Sequence, residues 1–450
     1  MNGPNNSREI LKTREKLKTR EILKTREMLN TREILNTREI LNTREILKTW
    51  ETWKTCEISI AEPADAECIQ KIFDDGDFEG GISVKFNREP DPYLSFQNDG
   101  EHVVLIIVRD TQKKEVFGLG GCVIRQEHVN GNLQNTAYLT GLKILKSYQR
   151  RINCIIPGYK LLEEKTAEYN PFYYTTILES NETAIKLLEK RRKNMPPYIY
   201  IGKYTVFCIG TGSKYTSPKT SNSGYGLKRG HSDAVSNFYK ENLSKYNLSP
   251  KSELHYGLKN EDFYYLQLPD GEIIAACALW NQQSYKQYII SGYGGIYKFL
   301  SHIPTKLFGY PKMPKAGTPA NYASIAALII KDDDPILARL FLKMVLHEAK
   351  AYDFVMLGLF ENHPLKDAAL RFKHIKYQSR LYAVDYARNG DSSDCLDGRS
   401  IMLDELSIML DEQPTKLDEQ PIKLDGRPIK LDERPIKLDG RPIMLEVGLL

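Results

Sequence analysis

Between residues 57 and 209 the chain switches between two hydrophobic periods. Residues 57–60, 103–109 and 115–126 are apolar runs with the length and β-branched content of strands, and Asn130-Gly131 is a tight-turn dipeptide before the next strand. Residues 65–73 instead place Ala66, Ile69, Ile72 and Phe73 on one face at helical spacing. A strand at 138–145 then runs into the basic turn Ser147-Tyr148-Gln149-Arg150-Arg151. A helix follows, with Tyr159, Leu161 and Leu162 apolar and Lys160, Glu163, Glu164 and Lys165 polar. Next come a strand at 172–178 and a second helix opening near Asn181. Such a crossover unit is right-handed, with its two strands parallel. An edge hairpin at 198–209 closes this region.

The pattern then repeats. Residues 210–230 are rich in Ser, Thr, Gly and Lys without periodicity, as in a linker. Beyond it the spacing predicts a helix at 233–243, strands at 263–267 and 272–281 around the turn Pro269-Asp270-Gly271, and a strand at 324–330. A helix at 335–352, a parallel strand at 354–360, a helix at 362–372 and a closing strand at 377–386 complete it.

The two ends are repetitive. Thr recurs at 13, 19, 25, 31, 37, 43 and 49, a six-residue period. Six residues turn an α-helix by about 600°, so successive apolar pairs lie about 120° apart and no coiled-coil seam forms. The arm 1–55 is therefore expected to be a solvated helix or disordered. From Ser407 onward the period is seven, with Pro414, Pro421, Pro428, Pro435 and Pro442 opening successive units. A proline at every seventh residue forbids a continuous helix, and 388–450 is expected to be disordered.

Composition narrows the class. The 41% apolar content supplies substantial cores, and the net charge of +5 is unevenly spread. Residues 1–55 hold 13 Lys/Arg against 8 Asp/Glu, and 388–450 hold 9 against 14. The centre is mildly basic, which suits an anionic cofactor and falls short of a nucleic-acid footprint. Seven scattered cysteines without a CxxC pair predict reduced thiols in a cytoplasm, and no histidine spacing suggests a metal. No apolar run reaches the ~20 residues of a membrane span.

The basic turn is where chemistry is expected. A strand-to-helix turn aims free backbone N–H groups at one point where the helix dipole favours negative charge, and arginines there make phosphate the natural ligand. At Gln149-Arg150-Arg151-Ile152-Asn153-Cys154, and again at Asn181, Ala184 and Leu187, the chain resembles the Gcn5-related N-acetyltransferase superfamily. The resemblance covers 57–209, and 231–387 is similar to a second, diverged copy. It implies an α/β fold class of two tandem acetyltransferase folds (56–210 and 231–387, joined by the linker 211–230). Each would be a mixed, mostly antiparallel sheet with a splayed parallel central pair and flanking helices.

The resemblance further implies an acyl-coenzyme A site, with acetyl-CoA as the expected cofactor, formed by Leu145, Gln149, Arg150, Arg151, Asn153 and Asn181. Ile152 and Cys154 stand where the family has small residues, and Leu188 where many relatives have a tyrosine acid. Acyl transfer to an amine also needs a base and a donor toward the oxyanion. Glu89 and Asp91, in a loop where the family binds acceptors, are base candidates, with Glu127 and His128 as rivals. Tyr138 and Tyr173 are expected to flank the thioester, and Tyr173 or Tyr174 could replace the missing acid. Lys331-Asp332-Asp333-Asp334 in the second copy would repel a pyrophosphate, so one cofactor site is expected. The expected function is acyl transfer by direct attack on a small-molecule or peptide amine. A silent binding scaffold and an aminoacyl-tRNA-dependent transferase are the alternatives.

Overall fold

The computed structural model describes residues 55–77, 80–192, 194–212, 215, 226–386 and 438–445. The arm 1–54 and the tail 387–437 lie outside them. The first half contains β1 (Cys56–Ile60), α1 (Ala66–Asp74), β2 (Ile82–Asn87), α2 (Pro92–Gln97), β3 (His102–Asp110), β4 (Val116–Val129) and β5 (Asn132–Ile144). It continues with α3 (Ile155–Thr166), β6 (Phe172–Leu178), α4 (Glu182–Glu189) and β7 (Tyr198–Gly210). Helix α1 buries Ile69, Ile72 and Phe73, the face set by its apolar spacing. Asn130 and Gly131 take φ of 54° and 80° in the turn that returns β4 into β5. Two positive φ values in succession are what a two-residue hairpin turn requires.

The second half contains β8 (Gly226–Arg229), α5 (Asp233–Asn242), β9 (Ser249–Pro250), β10 (Phe263–Gln267), β11 (Ile273–Trp280) and β12 (Gln287–Tyr293). It ends with α6 (Gly295–Leu300), β13 (Thr318–Pro319), β14 (Tyr322–Ile330), α7 (Pro335–Glu348), β15 (Phe354–Phe360), α8 (Lys366–Leu370) and β16 (His374–Val384). Within the main sheet the order is β1-β3-β4-β5-β6-β16-β7-β15-β14-β11-β10-β8, with β9 paired to β4. Among its described strands only β5·β6 and β14·β15 pair in parallel. Each half is thus a mixed, mostly antiparallel sheet with one parallel pair and flanking helices, and the two stand in tandem as expected.

One feature corrects the sequence reading. Strand β7 is not an edge: it lies between β15 and β16, while β16 closes β6 of the first half. The halves have exchanged their last strands. Tyr204, Val206, Phe207 and Ile209 of β7 are all buried, a density of apolar side chains that suits a central strand. A second sheet, β13-β12-β2, also spans the halves, with β2 antiparallel to β12. Neither 82–87 nor 287–293 stands out in the sequence, because most of their side chains are only half buried.

Where β2 and β12 meet, a charged cluster sits inside the protein. Asp99 receives Arg88 Nη2 at 2.6 Å and Lys286 Nζ at 2.9 Å, and all three side chains are at most 3% exposed. The Arg88 guanidinium also lies 3.7 Å from the Phe96 ring centroid. Burial alone would raise the Asp99 carboxyl; the charges of Arg88 and Lys286 outweigh it and hold it below its ordinary value. Burial pulls the Lys286 ammonium down to about 8, with Asp99 opposing.

One stretch of the tail departs from the expected disorder. Residues 438–445 dock against both halves, with Ile443, Met444 and Leu445 buried. Asn247 donates its N–H to Pro442 O and accepts the Met444 N–H, both at 2.8 Å, and the Tyr204 hydroxyl reaches Leu445 O at 2.6 Å. The sequence distinguishes this unit from the four before it. Met444 packs in the core containing Trp280 and Ala327, at a repeat position where the four preceding units carry Lys416, Lys423, Lys430 and Lys437. A seven-residue slip would bring an ammonium into that apolar site.

Met444→Lys should therefore lower stability by about 2 kcal/mol or more and release amide-exchange protection across 438–445. Unchanged protection would show that the register has another cause. Asp99→Asn leaves two buried cations with one neutral partner and should cost about 3–5 kcal/mol in urea unfolding. Folded, Lys286 titrates near 8, below the 10.5 of an ordinary lysine. Between those values the unfolded chain binds more protons, so this group makes stability rise with pH there. Lys286→Met should flatten that rise.

Candidate active site

Strands β5 and β6 pair over three residues only, Thr136 with Phe172, Ala137 with Tyr173 and Tyr138 with Tyr174. Beyond Tyr138 the strands part, and Leu139 O takes the Thr175 hydroxyl at 2.7 Å in place of a ladder bond from β6. Three residues after the last pair, Gly141 adopts φ 69° in a β-bulge against Leu119–Gly121. A Cβ there would also meet Phe96 Cζ at 3.3 Å. The second half repeats the device. β14 and β15 pair from Tyr322 with Phe354 to Ser324 with Met356, and Ala327 takes φ 48° at the matching bulge. Each half thus opens a slot between its two parallel strands.

One face of the first slot carries a buried polar cluster. Glu127, on β4, is 1% exposed and accepts Thr136 Oγ1 at 2.7 Å and the Tyr174 hydroxyl at 3.0 Å. Arg125 Nη1 lies 4.0 Å from it. Burial raises the Glu127 carboxyl, against the pull of Arg125, Thr136 and Tyr174. Tyr138 stacks obliquely on Tyr174 at 5.3 Å, and its hydroxyl meets Thr176 Oγ1 at 2.8 Å. The Arg125 Nε donates to Asp99 O at 2.9 Å, linking this cluster to the Asp99 group.

The expected residues are distributed unevenly around this centre. Tyr138 belongs to it. Tyr173 faces the other side of the sheet, where its hydroxyl meets Thr166 Oγ1 of α3 at 2.6 Å and its ring packs on Tyr386. The two tyrosines therefore do not flank one point, because neighbouring positions on a strand point to opposite faces. Glu89 is exposed, and Gln287 holds its backbone through both N–H and C=O. Asp91 caps α2, accepting the Leu94 N–H at 3.0 Å. His128 is half-buried beside Ser249, and burial lowers it. Of the four base candidates, Glu127 sits in the polar cluster beside the slot.

The turn after β5 is wound into 3-10 conformation over Lys146–Cys154. Leu145 is buried, its N–H on Phe117 O at 2.8 Å. Gln149 is exposed; the side chains of Arg150 and Asn153 are outside the described ones. Arg151 is committed elsewhere: its Nη1 reaches Asp110 Oδ2 at 2.7 Å. Backbone N–H groups of Lys113 and Gln112, with Arg151, hold the Asp110 carboxyl below its ordinary value. Cys154 is joined to Cys56 by a disulfide, which corrects the expectation of reduced thiols. The pair is separated by 98 residues and is brought together only by the folded sheet. Asn181 caps α4 as expected, accepting the Ala184 N–H at 3.1 Å, and Leu188 is buried in the core.

In the second half, Asp334 caps α7 through the Ile336 and Leu337 N–H groups, and Asp333 accepts the Tyr246 hydroxyl. Among the described residues no group of three His, Cys, Asp or Glu side chains could hold a metal. No described helix is long and apolar enough to cross a membrane.

The opened parallel pair in each half, among flanking helices, is the architecture expected from the sequence resemblance. No protein-family profile and no curated protein sequence matches the chain. Solved structures similar to it include the GCN5-related glucosamine N-acetyltransferase region of a fungal multi-domain GH3 β-N-acetylglucosaminidase (14% identity, TM-score 0.47), with 73% of this chain and 38% of that one covered. Saccharomyces cerevisiae N-myristoyltransferase with bound myristoyl-CoA matches at 10% identity and TM-score 0.45, over 73% and 82%. A GCN5-related N-acetyltransferase from Sphaerobacter thermophilus matches at 11% and 0.43, over 73% and 94%.

Proposed function

We propose that the first half transfers an acyl group from acyl-coenzyme A, with acetyl-CoA as the simplest donor, to an amine by direct attack in a ternary complex. The observation that carries this reading is the β5–β6 slot with Glu127, Tyr138 and Tyr174 on one of its faces. When bound, the thioester would supply the activated acyl carbon. The slot fits a pantetheine arm, because the parted strand edges leave backbone groups free of a β5–β6 ladder. The phosphate grip would fall to Gln149 and the turn's backbone amides, since Arg151 already serves Asp110. Glu127 would take the proton released as the amine becomes an amide. A carboxylate whose pKa burial has raised is a stronger base once ionised. Tyr138 offers a hydroxyl on the same face.

A second reading, a binding protein that has kept the fold without the chemistry, draws on the Arg151–Asp110 pair and the buried Leu188. Calorimetry with acetyl-CoA separates the two. One site per chain is expected, because the Asp332–Asp334 turn opposes a second phosphate cradle; no heat of binding would favour the silent reading.

Glu127→Gln keeps the shape and should lower kcat/KM by about 10²–10⁴-fold while the fold persists. Because burial raises Glu127, the wild-type acid limb should lie above the ordinary carboxylate range, with activity lost as pH falls through it. The variant should lose that limb. An unaltered pH profile would remove Glu127 from the mechanism.

A further inference from the structure

A basic pocket lies well away from Glu127 in sequence and on other elements. It has a volume of about 220 Å³ and is lined by Arg339 and Lys343 of α7, by Arg371, Phe372 and Lys373 after α8, and by Gly309 and Tyr215. Arg339 and Lys343 are one helical turn apart and share a face. Among the described residues, none of the four cations has a carboxylate within ion-pair distance. Like charges gathered without counter-charge repel one another, and an anion relieves that cost.

The rim adds a second feature. Immediately before Gly309, Leu307 and Phe308 are 82% and 66% exposed. Lys373 Nζ lies 5.4 Å from the Tyr310 ring centroid, so pocket and apolar tip share one border. From Gly292 to Lys331 the chain has no Asp or Glu, while Lys298, Lys306, Lys312 and Lys315 punctuate it. In that same stretch Ile296 and Phe299 of α6 are 69% and 70% exposed. Lys312 is paired with Asp353 at 3.2 Å; apolar tips beside the remaining lysines are the composition of a surface that lies on a membrane, with side chains in the acyl boundary and cations at the headgroups.

We propose that this face docks on an anionic phospholipid surface, the Arg339–Lys343–Arg371–Lys373 pocket taking a phosphate-bearing headgroup while Leu307 and Phe308 enter the interface. A phosphate meets two helix-borne and two turn-borne cations there. The apolar pair beside them has no described covering element. A free phosphorylated metabolite would use the pocket and leave Leu307 and Phe308 without a role. A nucleic acid would use the charge and be indifferent to both.

The test is co-sedimentation of the full chain with vesicles of phosphatidylcholine alone or with added phosphatidylserine. Binding should require phosphatidylserine and weaken with salt. It should fall about fivefold for each cation removed in Arg339→Ala and Lys343→Ala. Leu307→Ser with Phe308→Ser should weaken it further at unchanged charge; these exposed positions leave folding intact, checked by the melting temperature. Binding to both vesicles alike, or no binding, overturns the proposal. So does sedimentation indifferent to Leu307→Ser with Phe308→Ser. Inorganic pyrophosphate raising the melting temperature while vesicles fail would mark a soluble-anion site instead, and equal retention on single-stranded RNA by wild type and the Leu307/Phe308 variant would mark a nucleic-acid surface.

Discussion

Strand β16 hydrogen-bonds to β6 along one edge and to β7 along the other, and β7 in turn carries β15. Each half is closed by the last strand of its neighbour, so neither has a complete sheet by itself. The consequence reaches the chemistry. Tyr386, just past β16, packs at 4.4 Å on Tyr173, and the Tyr382 hydroxyl meets Glu189 of α4. The second half, whose own turn is acidic, thereby helps to build the walls of the first slot. This pairing holds each half in place, because an unpaired central edge exposes a row of backbone donors and acceptors.

The Asp99 cluster does on the other side of the molecule what the exchanged strands do in the sheet. Arg88 follows β2, Lys286 precedes β12, and Asp99 sits between them with both charges. A buried ion triad is poor evidence of net stability, since desolvation consumes most of the attraction. Its geometric demand is strict, however. One carboxylate can satisfy both cations only if β2 and β12 lie in one register, and Arg125 ties that arrangement to the Glu127 face through Asp99 O. The Glu127 cluster and the joint between halves are therefore one network.

What was legible from sequence follows the range of the interactions. Strands 172–178 and 354–360, the Asn130-Gly131 turn and the Asn181 cap are set by residues close in the chain, and the structure has them at or near the predicted bounds. Glu127 had a faint signal: a carboxylate at the end of an apolar strand, with Thr136 across a hairpin. Its third partner, Tyr174, is 47 residues away, and no periodicity reports that. The Arg151–Asp110 pair spans a similar distance, and the Cys56–Cys154 pair and the exchange of β7 with β16 are longer-range still. Register between distant strands is chosen by which apolar faces meet, and several choices satisfy one binary pattern. The tail is the converse case, since its repeats suggested uniform disorder while Met444, where the four preceding units carry Lys, takes an apolar seat.

The two turns that follow the parallel pairs show how local charge is spent. In the second half, Asp334 is used by α7 and Asp333 by Tyr246, so only Asp332 of the triplet has no described hydrogen-bond partner. In the first half, Asp110 neutralises Arg151 and fixes the loop 112–113 through two N–H groups. The positive charge of Arg151, which looks available in sequence, is therefore committed in the fold. Arg151 remains about one third exposed beside Tyr148, so an incoming phosphate would share it with Asp110 and not claim it outright. Sharing lowers the gain from each arginine, because the phosphate must compete with a carboxylate already in contact. Whatever selectivity the first slot has over the second then rests more on the acidic turn's repulsion than on the basic turn's attraction.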